Sequence, residues 1–433
     1  MKKRKSRRKK KVNVKKVLRI IVAVILAIAV IITLANVLAV QNLLKKGNSY
    51  DKVEFENQLV PEKDENGNWY FTTDREFKVM HITDIHIGGG FLSKGVDEKA
   101  LNAIAIMVTR EKPDLVVFTG DQIKGYSSFF MGEKGKKNVV STLKALIKPL
   151  EERNIPFTMT FGNHDGEAAL GNNEQFEIYK ESPMFVYAEP VSENDKGTFC
   201  LSISDKFLIY LFDTHSKAED GGYSGINQQQ LDWYRSVRDS YKVPLPSLVF
   251  QHIPTPEYFD VIKKVKRFTK GCVRAYGNHK NEFYTLDPHN SRLSDFMLES
   301  PAAPYKNSGE IDAFLEKKEV LGVYAGHDHN NSFVAKYKGI DLGYAQGSGF
   351  NVYGPGYRRG VRIFNIKESG NYETHTVTFG ELCGKEVENK PKFAIYTYAP
   401  TSVSQVTTAV KEIAIVAGAV AGTIKLIKAI KKK

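Results

Sequence analysis

PDLVVFTGDQI, residues 113–123, decides how the rest of the chain is read. Leu115 to Phe118 is an unbroken apolar run, closed by Pro113-Asp114 on one side and Gly120-Asp121 on the other. A strand without polar alternation is covered on both faces, so it belongs to a sheet packed between layers. The flanking sequence repeats the theme. Upstream, Phe77–Ile85 predicts a strand and Asp97–Lys112 a helix. Asp114–Thr119 is then the second strand, followed by a helix over Lys137–Asn154 and a third strand over Pro156–Phe161. Farther on, Thr198–Ser204 and Lys206–Asp213 read as paired strands about a turn at Ser204-Asp205. Gln228–Tyr241 reads as a helix, and Ser247–Gln251 and Val320–Ala325 as short strands. Residues 332–380 return to strands with Gly-rich turns, and no internal repeat is present. Residues 264–308 have no clean period and read as an insertion over the surface. The expected class is α/β, with two packed mixed β-sheets flanked by helices fitting better than one doubly wound sheet.

The ends of the chain differ from its middle. The 433 residues carry 62 Lys+Arg against 49 Asp+Glu, a net +13. Residues 1–19 hold 12 of the bases and residues 425–433 hold 5, with no acid in either stretch; 62 less 17 leaves 45 bases against 49 acids between them. A nucleic-acid binder carries its charge on the folded surface that meets phosphates, so no nucleic-acid partner is expected. Cys200, Cys272 and Cys383 are odd in number and widely spaced, which excludes a disulfide framework and a zinc ribbon and suggests small core residues.

Between Ile20 and Val40 only Thr33 and Asn36 are polar. A helix of that length is about 31 Å, the thickness of a bilayer's hydrocarbon core. The basic flank before it keeps the N-terminus cytoplasmic. The expected location is the cell membrane, single-pass, with the folded domain outside the cytoplasm. A cleaved signal peptide is the competing reading, since Val37 and Ala39 suit a cleavage site, although the apolar run exceeds the usual h-region. The expected organisation is a basic tail (1–16), an anchor (17–40), a linker (41–75), the folded domain (76–380), a second linker (381–408) and an amphipathic basic helix (409–433). That last helix is read in three ways: lying in the membrane interface, packing on the anchor through Gly418 and Gly422, or docking on the domain.

Five short motifs stand where strands should end: Asp84-Ile85-His86, Gly120-Asp121, Gly162-Asn163-His164-Asp165, His252 in QHIP, and Gly326-His327-Asp328-His329-Asn330. Loops after strands present polar groups to a shared site. Singly each motif is a satisfied turn; together they supply carboxylate, imidazole and amide donors suited to metal ions.

This ordered set resembles the calcineurin-like metallophosphoesterase superfamily, whose pattern is D-x-H, G-D, G-N-H-D/E, H and G-H-x-H. The resemblance covers roughly residues 76–365 and implies a sandwich of two mixed sheets. Residues 113–123, GINQQQLDWYR (225–235), HIPTPEY (252–258), NSG (307–309) and the stretch from AGHDHNNSF onward are similar to the purple acid phosphatase-like branch. One position departs: where true purple acid phosphatases have a tyrosine three residues after the G-D aspartate, this chain has Lys124. The resemblance implies two divalent or trivalent metal ions, with Fe, Mn and Zn all open. Asp84, His86 and His329 would hold the first, Asn163, His252 and His327 the second, and Asp121 both. Such a pair ionises a water that attacks phosphorus in line. His164, beside a ligand without being one, would be the general acid, oriented by either Asp84 or Asp165.

The expected function is therefore a membrane-anchored phosphoesterase acting on phosphate esters. The alternatives are a catalytically silent metal-binding scaffold of the same fold and a nuclease of the same superfamily. Gly277-Asn278-His279 imitates G-N-H but falls in the insertion and reads as a surface decoy. His81, between Met80 and Ile82, reads as a core histidine; His215 reads equally as pocket lining or not. His289 and His375 show no partner. Tyr223 and Tyr353 flank a substrate in one reading and pack in the core in the other.

Overall fold

The computed structural model describes residues 14–88, 90–293 and 296–383. The N-terminal apolar run lies in a helix longer than itself, α1 (Val14–Gly47). A small hairpin follows, β1 (Glu62–Lys63) and β2 (Trp69–Phe71). Then β3 (Phe77–Ile82), α2 (Lys94–Glu111), β4 (Leu115–Thr119), α3 (Gly132–Glu151) and β5 (Phe157–Thr160) alternate as expected. After α4 (Asn172–Lys180) come β6 (Phe199–Ile203), β7 (Phe207–Phe212), α5 (Gln228–Ser240) and β8 (Ser247–Gln251). β9 (Ile262–Val265), β10 (Val273–Arg274), β11 (Phe283–Leu286) and β12 (Ser291–Leu293) occupy the insertion. The chain continues through α6 (Glu310–Leu315), β13 (Val320–Ala325), β14 (Val334–Tyr337), β15 (Ile340–Tyr344), β16 (Gly360–Ile366), β17 (Tyr372–Thr378) and α7 (Phe379–Cys383).

Two large mixed sheets result. One has the order β17-β16-β3-β4-β5, the other β1-β2-β6-β7-β8-β13-β15-β14-β12. β3, β4 and β5 run parallel, as do β7, β8, β13 and β15. Their side chains meet in one continuous core, in which Val117, Met159, Ile209, Phe250 and Phe364 are fully buried. A second core lies on the other face of the nine-stranded sheet, where Leu231, Tyr234, Ile311 and Phe314 bring α5 and α6 down onto it. All five residues of β4 are buried, as a strand covered on both faces requires.

Several details differ from the sequence reading. β3 stops at Ile82 and not at Ile85, because Asp84 and His86 take left-handed backbone conformations (φ 54° and 47°) that no strand accommodates. The insertion is not irregular: β9, β10 and β11 form a three-stranded sheet, and β12 joins the large one. These strands are two to four residues long and bury few side chains, so no period marks them. Residues 41–75 are not a free stalk either. α1 continues through 41–47 onto the domain, and the β1–β2 hairpin extends the nine-stranded sheet. Cys200 and Cys272 are half-buried, not core. The C-terminal helix expected at 409–433, and residues 384–408 before it, lie outside the described residues.

Candidate metal centre

Because β3, β4 and β5 in one sheet and β8 and β13 in the other are parallel, their C-terminal ends converge on one edge of the sandwich. β3 delivers Asp84 and His86, β4 Asp121, β5 Asn163 and His164, β8 His252, and β13 His327 and His329. The loops cross tightly. Gly120 has φ 94°, and a Cβ there would collide with the Gly162 amide nitrogen and crowd the His252 ring. Glycine before each of these ligands is what lets the two loops pass.

All seven residues expected as ligands come together. Asp84, His86, Asp121 and His329 each offer an atom within 4.8 Å of the others. His329 Nε2 is 3.1 Å from Asp84 Oδ1 and 3.3 Å from His86 Nε2. Beside them, His252 Nε2 is 3.1 Å from Asn163 Oδ1 and 3.3 Å from His327 Nδ1. Asp121 joins the groups: its Oδ2 is 3.3 Å from His86 Nε2 and 3.5 Å from His252 Nε2. Its other oxygen, Oδ1, accepts the His164 backbone N–H at 2.9 Å.

These residues fit a pair of metal ions. Asp84 Oδ1 is buried without a hydrogen-bond partner, and imidazole nitrogens face one another at 3.3 Å in two pairs, His86 with His329 and His252 with His327. Ligands on one ion at about 2.0–2.2 Å stand about 3–4 Å apart, as here. Outer contacts aim the rings. His252 Nδ1 donates to the Thr119 carbonyl (2.7 Å) and His329 Nδ1 to the Tyr353 carbonyl (2.9 Å), which turns each Nε2 inward. Charge agrees. Burial alone would raise the Asp84 and Asp121 carboxyls, but neighbouring imidazoles hold both below the usual carboxylate range. Burial lowers His86 to about 4 and His327 to about 3, keeping them neutral, whereas Asp121 outweighs the desolvation of His252 and raises it to about 10. The pocket is thus built to hold positive charge.

His164 stands at the edge, with its side chain one-third exposed. Neither Asp84 nor Asp165 orients it, contrary to expectation. Its Nδ1 donates to Glu167 Oε2 at 2.8 Å, and Tyr126 packs edge-on at 4.6 Å between centroids. Asp84 is turned away because it accepts the His327 backbone N–H (2.9 Å). Asp165 is fully buried and accepts the backbone N–H groups of Asp121 (2.7 Å), Gly162 (2.8 Å) and Ile123 (3.2 Å), tying the second and third motif loops together. Sequence reasoning passed over Glu167. The signal was its spacing, three residues after His164 across a single turn.

The remaining polar residues divide. His81 is fully buried against Thr119 Oγ1 and driven by burial to about 3, a core histidine. His215 turns to Asn227 Nδ2 (3.5 Å). Tyr353 stacks on His329 (4.1 Å) and Tyr223 sets its ring against His327 (4.3 Å), so both pack against candidate ligands. Lys124 reaches the Asn351 carbonyl at 3.0 Å, linking two rim loops. His279 stacks on Phe259 and bonds Glu282, away from the cluster. Beside Tyr223 a pocket of about 420 Å³ runs under the insertion, between His279, Pro301 and Tyr305.

The profile of the calcineurin-like phosphoesterase family matches residues 77–331. "Probable inactive purple acid phosphatase 14" of Arabidopsis thaliana is 27% identical over 338 residues, 68% of this chain and 76% of that protein. "Phosphatase DCR2" of Saccharomyces cerevisiae is 28% identical over 292 residues, 60% of this chain and 45% of that protein. The crystal structure of a dimetal phosphatase from Danio rerio aligns with 71% of this chain and all of its own, at 14% identity and a TM-score of 0.45.

Proposed function

The chain belongs to the calcineurin-like phosphoesterase family, and on that premise we propose that it is a membrane-anchored, dinuclear-metal hydrolase of phosphate esters. The observation that carries this is the pair of donor groups joined by one carboxylate oxygen, Asp121 Oδ2, which stands beside His86 of one group and His252 of the other. Asp84, His86 and His329 would hold one ion and Asn163, His252 and His327 the other, with Asp121 shared between them. A metal pair held there would supply an ionised water near neutral pH and a positive field for phosphoryl charge in an in-line displacement. His164 faces the leaving group and gives a proton to the departing oxygen, while Glu167 fixes its ring through Nδ1. Asp165 holds the Asp121 and Asn163 loops in register without touching substrate.

α1 is the anchor. It is long and apolar enough to cross a bilayer, and the basic residues before it support a cytoplasmic N-terminus with the domain outside. A second reading, a silent metal-binding scaffold, is favoured by the word "inactive" in the name of the Arabidopsis relative. Metal analysis of the purified chain together with hydrolysis of 4-nitrophenyl phosphate separates the two. The enzyme contains two metals and turns over; the scaffold contains metal and does not. A chain that takes up neither Fe, Mn nor Zn overturns both.

A further inference from the structure

The direction in which α1 leaves the domain bears on what the site meets. α3 follows β4 and returns along the sheet, so its N-terminus lies at the ligand end of the strands and its C-terminus at the far end. Gly47, at the end of α1, rests on Ala145 and Lys148 in the C-terminal half of α3. Tyr50 just beyond bonds Asn102, and Val53 bonds the Glu152 carbonyl. Going back along α1, Leu43 and Ala39 are buried at four-residue intervals, and the helix packs on α3 and on the turn Gly90–Leu92 that follows the Asp84-Ile85-His86 motif. α1 therefore runs alongside α3 in the same sense, and its membrane half emerges from the ligand end of the sandwich. Residues 20–34 are apolar but for Thr33 and exposed all round, about 22 Å of helix, most of the thickness of the hydrocarbon core. The apolar run ends at Val40, where the domain already touches the helix. No spacer separates the metal edge from the bilayer.

The rim agrees. Phe91, Tyr126, Met131, Leu298 and Tyr357 are large apolar or aromatic side chains, each more than a third exposed, all on loops at the strand ends that carry the ligands. Aromatic and apolar groups at this level suit a membrane interface. Exposed Lys134, Lys136 and Lys137 begin α3 beside the exit of α1, at headgroup height.

We infer that the mouth of the metal site faces the outer surface of the membrane, and that its substrate is a phosphate ester carried by a lipid of that leaflet. This rests on the phosphoesterase reading and on α1 as the anchor. A water oxygen bonds to phosphorus as the bond to the lipid-side oxygen breaks. That oxygen takes a proton from His164, leaving the lipid alcohol in the membrane and releasing the phosphate.

The test uses the full chain in phosphatidylcholine vesicles. In a background with Cys200, Cys272 and Cys383 changed to Ser, a fluorophore is attached at Met131→Cys, Leu298→Cys or Val243→Cys, the last exposed at the opposite end of the strands. Brominated lipid should quench the first two labels and spare the third; equal quenching at all three overturns the orientation. Phosphatidate or phosphatidylglycerol in the same vesicles should be hydrolysed or should compete with 4-nitrophenyl phosphate. If the aryl phosphate is cleaved and neither lipid does either, the lipid substrate is refuted while the phosphoesterase reading stands. If nothing is cleaved, the phosphoesterase reading falls and the quenching result alone decides the orientation. Leu43→Lys, which undocks α1 from the domain, should leave aryl phosphate turnover unchanged and lower lipid turnover roughly tenfold, since the fixed orientation supplies local concentration. Equal retention of both activities overturns the role of the docked helix.

Discussion

His164→Ala separates the roles assigned within the site. The substitution removes the imidazole but keeps the backbone N–H that holds Asp121 Oδ1 at 2.9 Å. The proposed bridging oxygen Oδ2 therefore stays in place, and metal content should remain two per chain. Loss of a proton donor typically costs roughly 10²–10⁴ in rate, which is about 3–5 kcal/mol of barrier. The loss should depend on the leaving group: full for an alkyl phosphate, whose alkoxide needs the proton, and about tenfold or less for 4-nitrophenyl phosphate, whose phenolate departs unaided. Glu167→Gln removes a charge from a contact that is about one-third exposed on both sides. Solvent screening limits that pair to about 0.5–1 kcal/mol, so turnover should fall only two- to fivefold. The assay is steady-state kinetics on the two substrates, with metal measured on the same preparations. Metal lost together with activity in His164→Ala makes His164 a ligand. Equal losses on both substrates remove its role as the acid.

Asp121→Asn should lower metal content and turnover together, because a neutral amide bridges two cations poorly; two retained metals with a near wild-type rate would sink the bridging role. Asp165→Asn should destabilise the fold by about 1–3 kcal/mol and weaken metal retention, since an amide NH₂ opposes backbone N–H donors that the carboxylate accepts; an unchanged melting temperature and metal content would contradict it. Glu310 is buried, and desolvation with the nearby Glu257 charge raises its carboxyl to about 8. The folded protein thus keeps a proton that the unfolded chain releases above its ordinary value, so stability falls as pH rises from about 4.5 to about 8. Glu310→Gln should be near neutral in denaturant titrations at pH 5 and stabilising by about 3 kcal/mol at pH 8; equal effects at both pH values would refute this. Protease added to intact cells after wall removal should digest the domain and spare the N-terminal segment; full protection would reverse the topology.

The sandwich, and the convergence of the seven candidate donors, were legible because each rests on a local signal. An apolar run such as Leu115–Phe118 announces a covered strand, and the polar residues that follow it can only lie at that strand's end. Two features needed the third dimension. The docking stripe Ala39, Leu43 and Gly47 is invisible inside a helix that is apolar on every side over most of its length. The Glu167 partner of His164 depends on a single turn bringing residues three apart together. Asp165 was misjudged for a related reason. Next to a histidine read as the general acid, a carboxylate invites an orienting role, but its burial commits it to three backbone donors instead.

Sequence also gives no sign of how the donors are held. Asp84, His86, Asp121 and His327 all have positive φ, between 47° and 68°. Each such non-glycine residue costs about 1–2 kcal/mol, so four together need compensation. The compensation is mutual. The His86 N–H bonds the Asp121 carbonyl, the His327 N–H bonds Asp84 Oδ2, the His164 N–H bonds Asp121 Oδ1, and the Asp121 N–H bonds Asp165. Every strained backbone thus presents its N–H or carbonyl, or aims its carboxylate, at another member of the group. The donors are linked through protein contacts alone, before any metal contributes. A substitution that spares these backbone links should therefore alter chemistry without dismantling the site, whereas one at Asp165, which has no place among the donors, should loosen two of the five motifs at once.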